Sequence, residues 1–144
     1  MSFILHLIIF LITNIEHSHS ANLNRKKEKL MPEISIQKQC AALTDLVDCE
    51  TFGEPIGDLP KQTDSGFFAE GDFVAGTWQC EPGKMQLDLE ITEFCHLLKG
   101  HWILTSESGQ VTEIKAGDSW VFPKGWKGIS EVVETVRKAY FIIS

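Results

Sequence analysis

The chain has 144 residues, 43% of them hydrophobic and 23% charged, which suits one ordinary domain and is too short for two full ones. Its 13 Lys+Arg against 20 Asp+Glu give a net charge of -7, so no basic field exists to hold phosphates and nucleic acid is excluded as a partner. The four cysteines, Cys40, Cys49, Cys80 and Cys95, form no Cys-x-x-Cys pair and are too sparse for a disulfide scaffold or a zinc ribbon.

The chain opens on a nearly continuous apolar stretch from Ser2 to Ile15, followed by polar EHSHSANLN and the basic run Arg25-Lys26-Lys27-Glu28-Lys29. The apolar stretch falls short of the about 20 residues that a bilayer span needs, so no membrane span is expected. Ser18-His19-Ser20 before Ala21 would serve as a signal-peptide cleavage site, but no Lys or Arg precedes the apolar run. A membrane-surface anchor is a further reading. The favoured expectation is a translated leader over residues 1–30, because Lys27-Glu28 can be encoded AAG-GAG, a ribosome-binding sequence spaced by Lys29-Leu30 from a start at Met31. The protein is then cytoplasmic with reduced thiols; as a signal peptide, the same segment would export it and let Cys40 and Cys49 pair. His17-x-His19 is spaced like a metal pair and reads as an accident of composition. His96 and His101 are the histidines left beyond the leader.

Residues 31–66 read as an N-terminal arm: an alternating edge strand at Glu33 to Gln37, a helical turn within Ala41 to Val47, and a Gly-, Pro-, Asp- and Thr-rich approach from Phe52 to Gly66. From Phe67 on, strand signals come at short intervals: 73–80, 85–98, 102–106, 111–114, 119–122, 129–133 and 138–143. Turns at Glu81-Pro82-Gly83, Ser106 to Gln110, Ala116-Gly117-Asp118 and Pro123-Lys124-Gly125 separate them. Closely spaced strands without helical periods predict an all-β sandwich or barrel.

One strand is fully readable. Met85, Leu87, Leu89 and Ile91 alternate with polar residues, so the odd positions face the core. Glu93 falls on that buried parity, followed by Cys95 and Leu97. A carboxylate placed there needs a hydrogen-bond partner, a cation or a raised pKa, unless a bulge near Thr92 turns it outward. Gly100 is expected to make a tight turn between strands; His96 has outward parity and His101 lies just beyond the Gly100 turn, so neither is expected to join Glu93.

Glu93 followed by Gly100 in EFCHLLKG, and then Gly117, Pro123 and Gly125 in GDSWVFPKG, resemble the two motifs of the cupin superfamily. The wider text VAGTWQCEPG, EFCHLLKG and GDSWVFPKGWKG is similar to the small cupins of the ureidoglycine aminohydrolase type. The resemblance covers 67–143 and implies a single cupin jelly-roll β-barrel (RmlC-like) over 67–144, with Gly100, Gly117, Pro123 and Gly125 as structural motif residues. In metal-binding cupins, inward histidines hold the ion; the matching positions here carry Leu87, Leu89 and Gly128, leaving Glu93 alone. No metal or other cofactor is therefore expected.

What remains is an apolar interior with one carboxylate, one thiol and several indoles. The resemblance places Trp78 and Trp126 on segments flanking the cavity, and with Glu93, Cys95 and Lys127 they are the expected ligand pocket; Lys124 also lies at the rim. Each also has a plainer reading as packing or as a solvated lysine, and Cys95 as an inert buried thiol. The favoured function is a metal-free protein that binds a small polar metabolite. The alternative is a hydrolase resembling ureidoglycine aminohydrolase, with Glu93 as catalytic acid or base and manganese as its metal. A purely structural dimer is a third reading. A homodimer is expected in every case, because pairing covers exposed sheet edges.

Overall fold

The computed structural model describes residues 31–144. The leader, signal-peptide and His17-x-His19 readings fall outside the described residues.

Among the described residues the fold is all β apart from one 3-10 turn at Cys40–Ala42. Its strands are β1 (Val47–Asp48), β2 (Glu54–Ile56), β3 (Gln62–Glu70), β4 (Phe73–Cys80), β5 (Gly83–Asp88), β6 (Thr92–Ser106), β7 (Val111–Lys115), β8 (Ser119–Phe122) and β9 (Lys127–Ile143). Every pairing is antiparallel. Two long strands form the spine. One edge of β9 bonds β6 along its length, while its other edge is shared by β5 at residues 127–132 and β4 at 136–143. The far edge of β6 is likewise divided between β8 at 93–96 and β7 at 101–105. Sharing one edge between two shorter strands curls the sheet around a single apolar core.

The segments 129–133 and 138–143, read from sequence as two strands, are halves of one continuous β9, and Trp102 to Ser106 continues the strand that begins at Thr92. Nothing between 133 and 138 forms a turn, because β6 and β4 supply backbone partners across the polar interval. Conversely, the segment 85–98 is broken at Leu89–Ile91. There Gly125 N donates to Leu89 O and Leu89 N donates to Trp126 O, so a loop takes the hydrogen bonds a neighbouring strand would have taken. Burial nevertheless alternates through the break, from Met85 to Leu97.

Gly100 is not a turn. It sits inside β6 at φ +93°, in a cluster of register shifts between Leu97 and Trp102. Those bulges exchange the inward parity, odd at Glu93, Cys95 and Leu97 but even at Trp102 and Leu104, so one long strand keeps its apolar side inward as the sheet bends. Gly117 and Gly125 do occupy turns: Asp118 N donates to Lys115 O, and Trp126 N donates to Pro123 O.

The segment 33–37 forms no strand within the chain, and the helical turn is a 3-10 turn at Cys40–Ala42. Strand β3 crosses from the arm into the barrel, with Gln62 and Asp64 both buried. The arm is pinned to the outside of the sheet. Thr77 Oγ1 donates to Gln37 Oε1, Gln37 Nε2 donates to Ser65 O, and Arg137 Nη1 donates to the carbonyls of Cys40 and Ala41.

Candidate functional site

Glu93 points inward, as its parity requires, and is 1% exposed. Its partner is a cation. Lys138 Nζ, on β9 beside it, donates to Glu93 Oε1 at 2.6 Å, with both side chains almost wholly buried. Adjacent strands β6 and β9 hold the two groups. Cys95 pairs with Tyr140 and Leu97 with Lys138 across the ladder, so the lysine reaches along the sheet to the carboxylate.

The ammonium sits in an aromatic box. Its Nζ lies 4.8 Å from the ring centre of Trp78, 5.1 Å from Phe52, 5.5 Å from Trp102, 5.8 Å from Phe122 and 5.9 Å from Tyr140. Ring faces attract a cation and replace part of its lost hydration. Burial disfavours the charged lysine, but Cys95, the Glu93 carboxylate that accepts its hydrogen bond and, more weakly, Asp64 outweigh it and hold the Lys138 pKa above its ordinary value. Cys95, pushed well above the usual thiol range by burial, is uncharged at neutral pH.

A second carboxyl completes the cluster. Asp64, on β3, accepts from Tyr140 Oη at 3.1 Å, and burial raises its pKa to about 7 against the opposing pull of Tyr140 and Lys138. Glu93 Oε2 is buried without a hydrogen-bond partner. Phe52, Asp64, Trp78, Glu93, Lys138 and Tyr140, with Glu50 and Ile142, line a cavity of about 20 Å³. That is room for roughly one water molecule.

The expected pocket residues are thus divided. Trp78 and Glu93 line this cavity, and Cys95 is buried in the same core. Trp126 does not line it; its ring packs edge-on against Phe122 at 5.4 Å, half-buried. Lys127 lies on the surface, ion-paired to Asp88 at 2.7 Å, in an open groove of about 360 Å³ that also includes Gln86, Thr105 and Glu107. Both follow the turn at Pro123, which carries them along the rim instead of inward. His96 bonds Ser119 Oγ and His101 pairs with Glu113, both away from Glu93.

Sequence reasoning missed Lys138, Asp64 and Tyr140. For two of them a signal exists: Val132, Val136, Tyr140 and Ile142 share even parity, which puts Lys138 inside, once 127–143 is read as one strand. Asp64 carries no such signal, since the inward side of β3 begins with Gln62, also polar and buried.

The resemblance implies a metal, and these residues do not fit one. Leu87, Leu89 and Gly128 offer no ligand atoms, and the Lys138 ammonium lies against Glu93, the one motif position that still carries a ligand group, where it would repel a divalent ion. Among the described residues, no group of three or more His, Cys, Asp or Glu is arranged to hold an ion.

The EutQ-like cupin domain family matches residues 68–140, just over half of the chain. No curated protein sequence matches. Among solved structures, the chain is similar to a Pseudomonas syringae pv. tomato protein of unknown function in the DUF861 family. Identity there is 22% at a TM-score of 0.64, over 69% of this chain and 45% of that one. It is also similar to the EutQ protein of Clostridium difficile, at 16% identity and a TM-score of 0.53, over 58% of this chain and 68% of that one. A third likeness is to ectoine synthase from P. lautus, at 13% identity and a TM-score of 0.56, over 75% and 77% of the two chains. Likeness at these identities is likeness of fold, and with the family match it makes the curled all-β domain a cupin jelly roll. The chain belongs to the family of EutQ-like cupin domains.

Proposed function

We propose that this protein is a metal-independent cupin that binds a small polar metabolite in the barrel interior, with the Lys138 ammonium supplying the positive charge a metal would otherwise bring. The observation that carries the reading is the buried Lys138–Glu93 pair opening on a cavity, with Glu93 Oε2 still lacking a donor. A buried acceptor without a partner costs about 1–3 kcal/mol, which a ligand N–H or O–H would recover. The lysine has N–H groups beyond the one given to Glu93, so a small ligand that both donates and accepts, and packs among the Trp78 and Phe52 rings, suits the site.

The cavity as it stands holds only about one water, so a larger metabolite requires lining side chains such as Phe52 to move apart. Phe52 lies on the connection between β1 and β2, where its backbone N–H donates to Gln62 Oε1. The protein in this reading acts in the cytoplasm as a homodimer. Cys95 belongs to the surrounding core, while Trp126 and Lys127 serve the rim and its groove.

Calorimetry and thermal-shift measurements against small carboxylic acids, amides and ureido compounds test the reading. Binding is expected to persist in EDTA, to fall at least tenfold in Lys138→Met and Glu93→Gln, and to remain unchanged in Lys127→Ala. Binding that requires added divalent metal overturns it. A hydrolytic reading, in which water is consumed and ammonia released as in the ureidoglycine aminohydrolase the sequence resembles, is favoured by one observation. Asp64, with a pKa of about 7, stands beside Glu93 and Lys138 as a proton acceptor matched to neutral pH. Turnover of ureidoglycine in metal-free buffer, lost in Asp64→Asn, would establish it.

A further inference from the structure

Charge is buried on the outer side of the sheet as well. Arg137 precedes the inward Lys138 on β9, so its side chain faces outward, yet it is only 6% exposed because the arm lies across it. The hydrogen bonds of its guanidinium all go to neutral oxygens. Nε and Nη2 donate to Gln79 Oε1 at 3.1 and 2.8 Å, and Nη1 donates to the carbonyls of Cys40 and Ala41 at 3.3 and 2.8 Å. Among the described residues no carboxylate pairs with it, and its cross-strand neighbour on β6 is a second cation, Lys99. These bonds leave one of the guanidinium N–H groups over. A buried charge without a counter-ion is costly, and a chain with more acidic than basic residues has no shortage of carboxylates to supply one.

Arg137 forms part of the floor of a groove of about 220 Å³. Cross-strand register sets Thr63, Gln79 and Arg137 side by side on the outer face, and Leu43 and Leu46 of the arm wall them in. The same groove includes Glu81, two residues beyond Gln79, which among the described residues makes no ion pair either. The neighbouring charges satisfy each other, since Lys61 Nζ pairs with Asp48 Oδ1 at 3.1 Å. One cation and one anion thus share a groove without pairing, and Gln79 takes the guanidinium in place of Glu81.

We propose that this groove binds a small zwitterion of the α-amino acid class, its carboxylate on the spare Arg137 N–H and its ammonium on Glu81. The site is separate from the barrel interior, because the sheet lies between them. Three features select this chemistry. The uncompensated charges are one of each sign, so a simple anion is repelled by Glu81 and a simple cation by Arg137, whereas a zwitterion satisfies both. Hydrogen bonds between a guanidinium and a carboxylate are among the strong ones, and this guanidinium is already out of water. The volume lies below the roughly 300–1,000 Å³ of sites for drug-sized ligands, so the ligand is small, and Leu43 and Leu46 offer apolar contact to a short side chain.

Arginine Nε–H resonances of the full chain test it. The sequence has two arginines, Arg25 and Arg137, and an Arg25→Lys variant tells their signals apart. The titrants are L-alanine, acetate and ethylammonium at constant ionic strength. L-Alanine is expected to move the Arg137 signal saturably and to leave Arg25 still, while acetate binds about tenfold more weakly and ethylammonium has no effect. Glu81→Gln, a change at an exposed residue outside every described strand, is expected to reduce L-alanine to the level of acetate and to leave acetate no weaker. Arg25 and Arg137 signals that drift together without saturation overturn the proposal. An Arg137 signal that no titrant moves does the same and leaves that residue as a pin for the arm. Equal affinity for acetate and L-alanine, or a Glu81→Gln variant that binds L-alanine like the original, removes the zwitterion and with it the proposal.

Discussion

Lys138 and Glu93 are each far too polar for their place, and each makes the other possible. Their ion pair is enclosed by aromatic rings, so removing one member leaves the other charge or dipole stranded in a medium that cannot hydrate it. Lys138→Met and Glu93→Leu are each expected to lose about 3–5 kcal/mol of stability. The double variant should lose at least about 2 kcal/mol less than the sum, because neither charge is then left alone. Denaturant unfolding of the four proteins measures this, and additivity would show the two residues to be uncoupled. Asp64 adds a pH dependence of known sign. Its folded-state pKa is raised from 3.8 to about 7, so the folded protein holds the proton more tightly than the unfolded chain. That contribution is fully present below about pH 4, declines as pH rises, and is lost above about pH 7; it amounts to roughly 4 kcal/mol across the interval. Asp64→Asn should flatten this part of the stability profile between pH 4 and 7. An unchanged slope in urea titrations would assign it to other groups.

Strand β6 depends on one residue in its middle. At Gly100 an added Cβ would strike the carbonyl oxygen of Thr135 on β9, and its φ of +93° is a conformation that L side chains rarely adopt. Gly100→Ala is therefore expected to destabilise the fold by about 2 kcal/mol or more, through the strand and not through a turn. Thermal unfolding measures the loss, whereas Gly109→Ala, in an open loop with nothing near its Cβ, meets only the backbone strain of its positive φ and should cost less. The reading of EFCHLLKG as strand then turn is overturned here for a physical reason. A glycine permits a bulge as readily as a turn, and which one forms depends on whether a neighbouring strand continues past it. Strand β9 does. The same ambiguity cut β9 in two, since the polar interval at Glu134 to Arg137 resembles a connection until Arg137 is seen bonding the arm and Gln79.

For the molecule as a whole, the amino-acid sequence by itself determined the class of fold. Alternation from Met85 to Leu97, the turns at Gly117 and Gly125 and the strand spacing after Phe67 are local features, governed by backbone conformation and by which face must leave water, and they carry over into the jelly roll almost unchanged. The inward Glu93 belongs with them, because parity is a property of one strand. Only the tertiary structure decided what Glu93 meets, since Lys138 lies 45 residues away on another strand and Asp64 on a third. It also decided that Trp126 and Lys127 turn along the rim and that Arg137 and Glu81 share a groove on the outer face without pairing. Register between strands distant in sequence is set by the closure of the whole sheet. No stretch of residues read in isolation contains it.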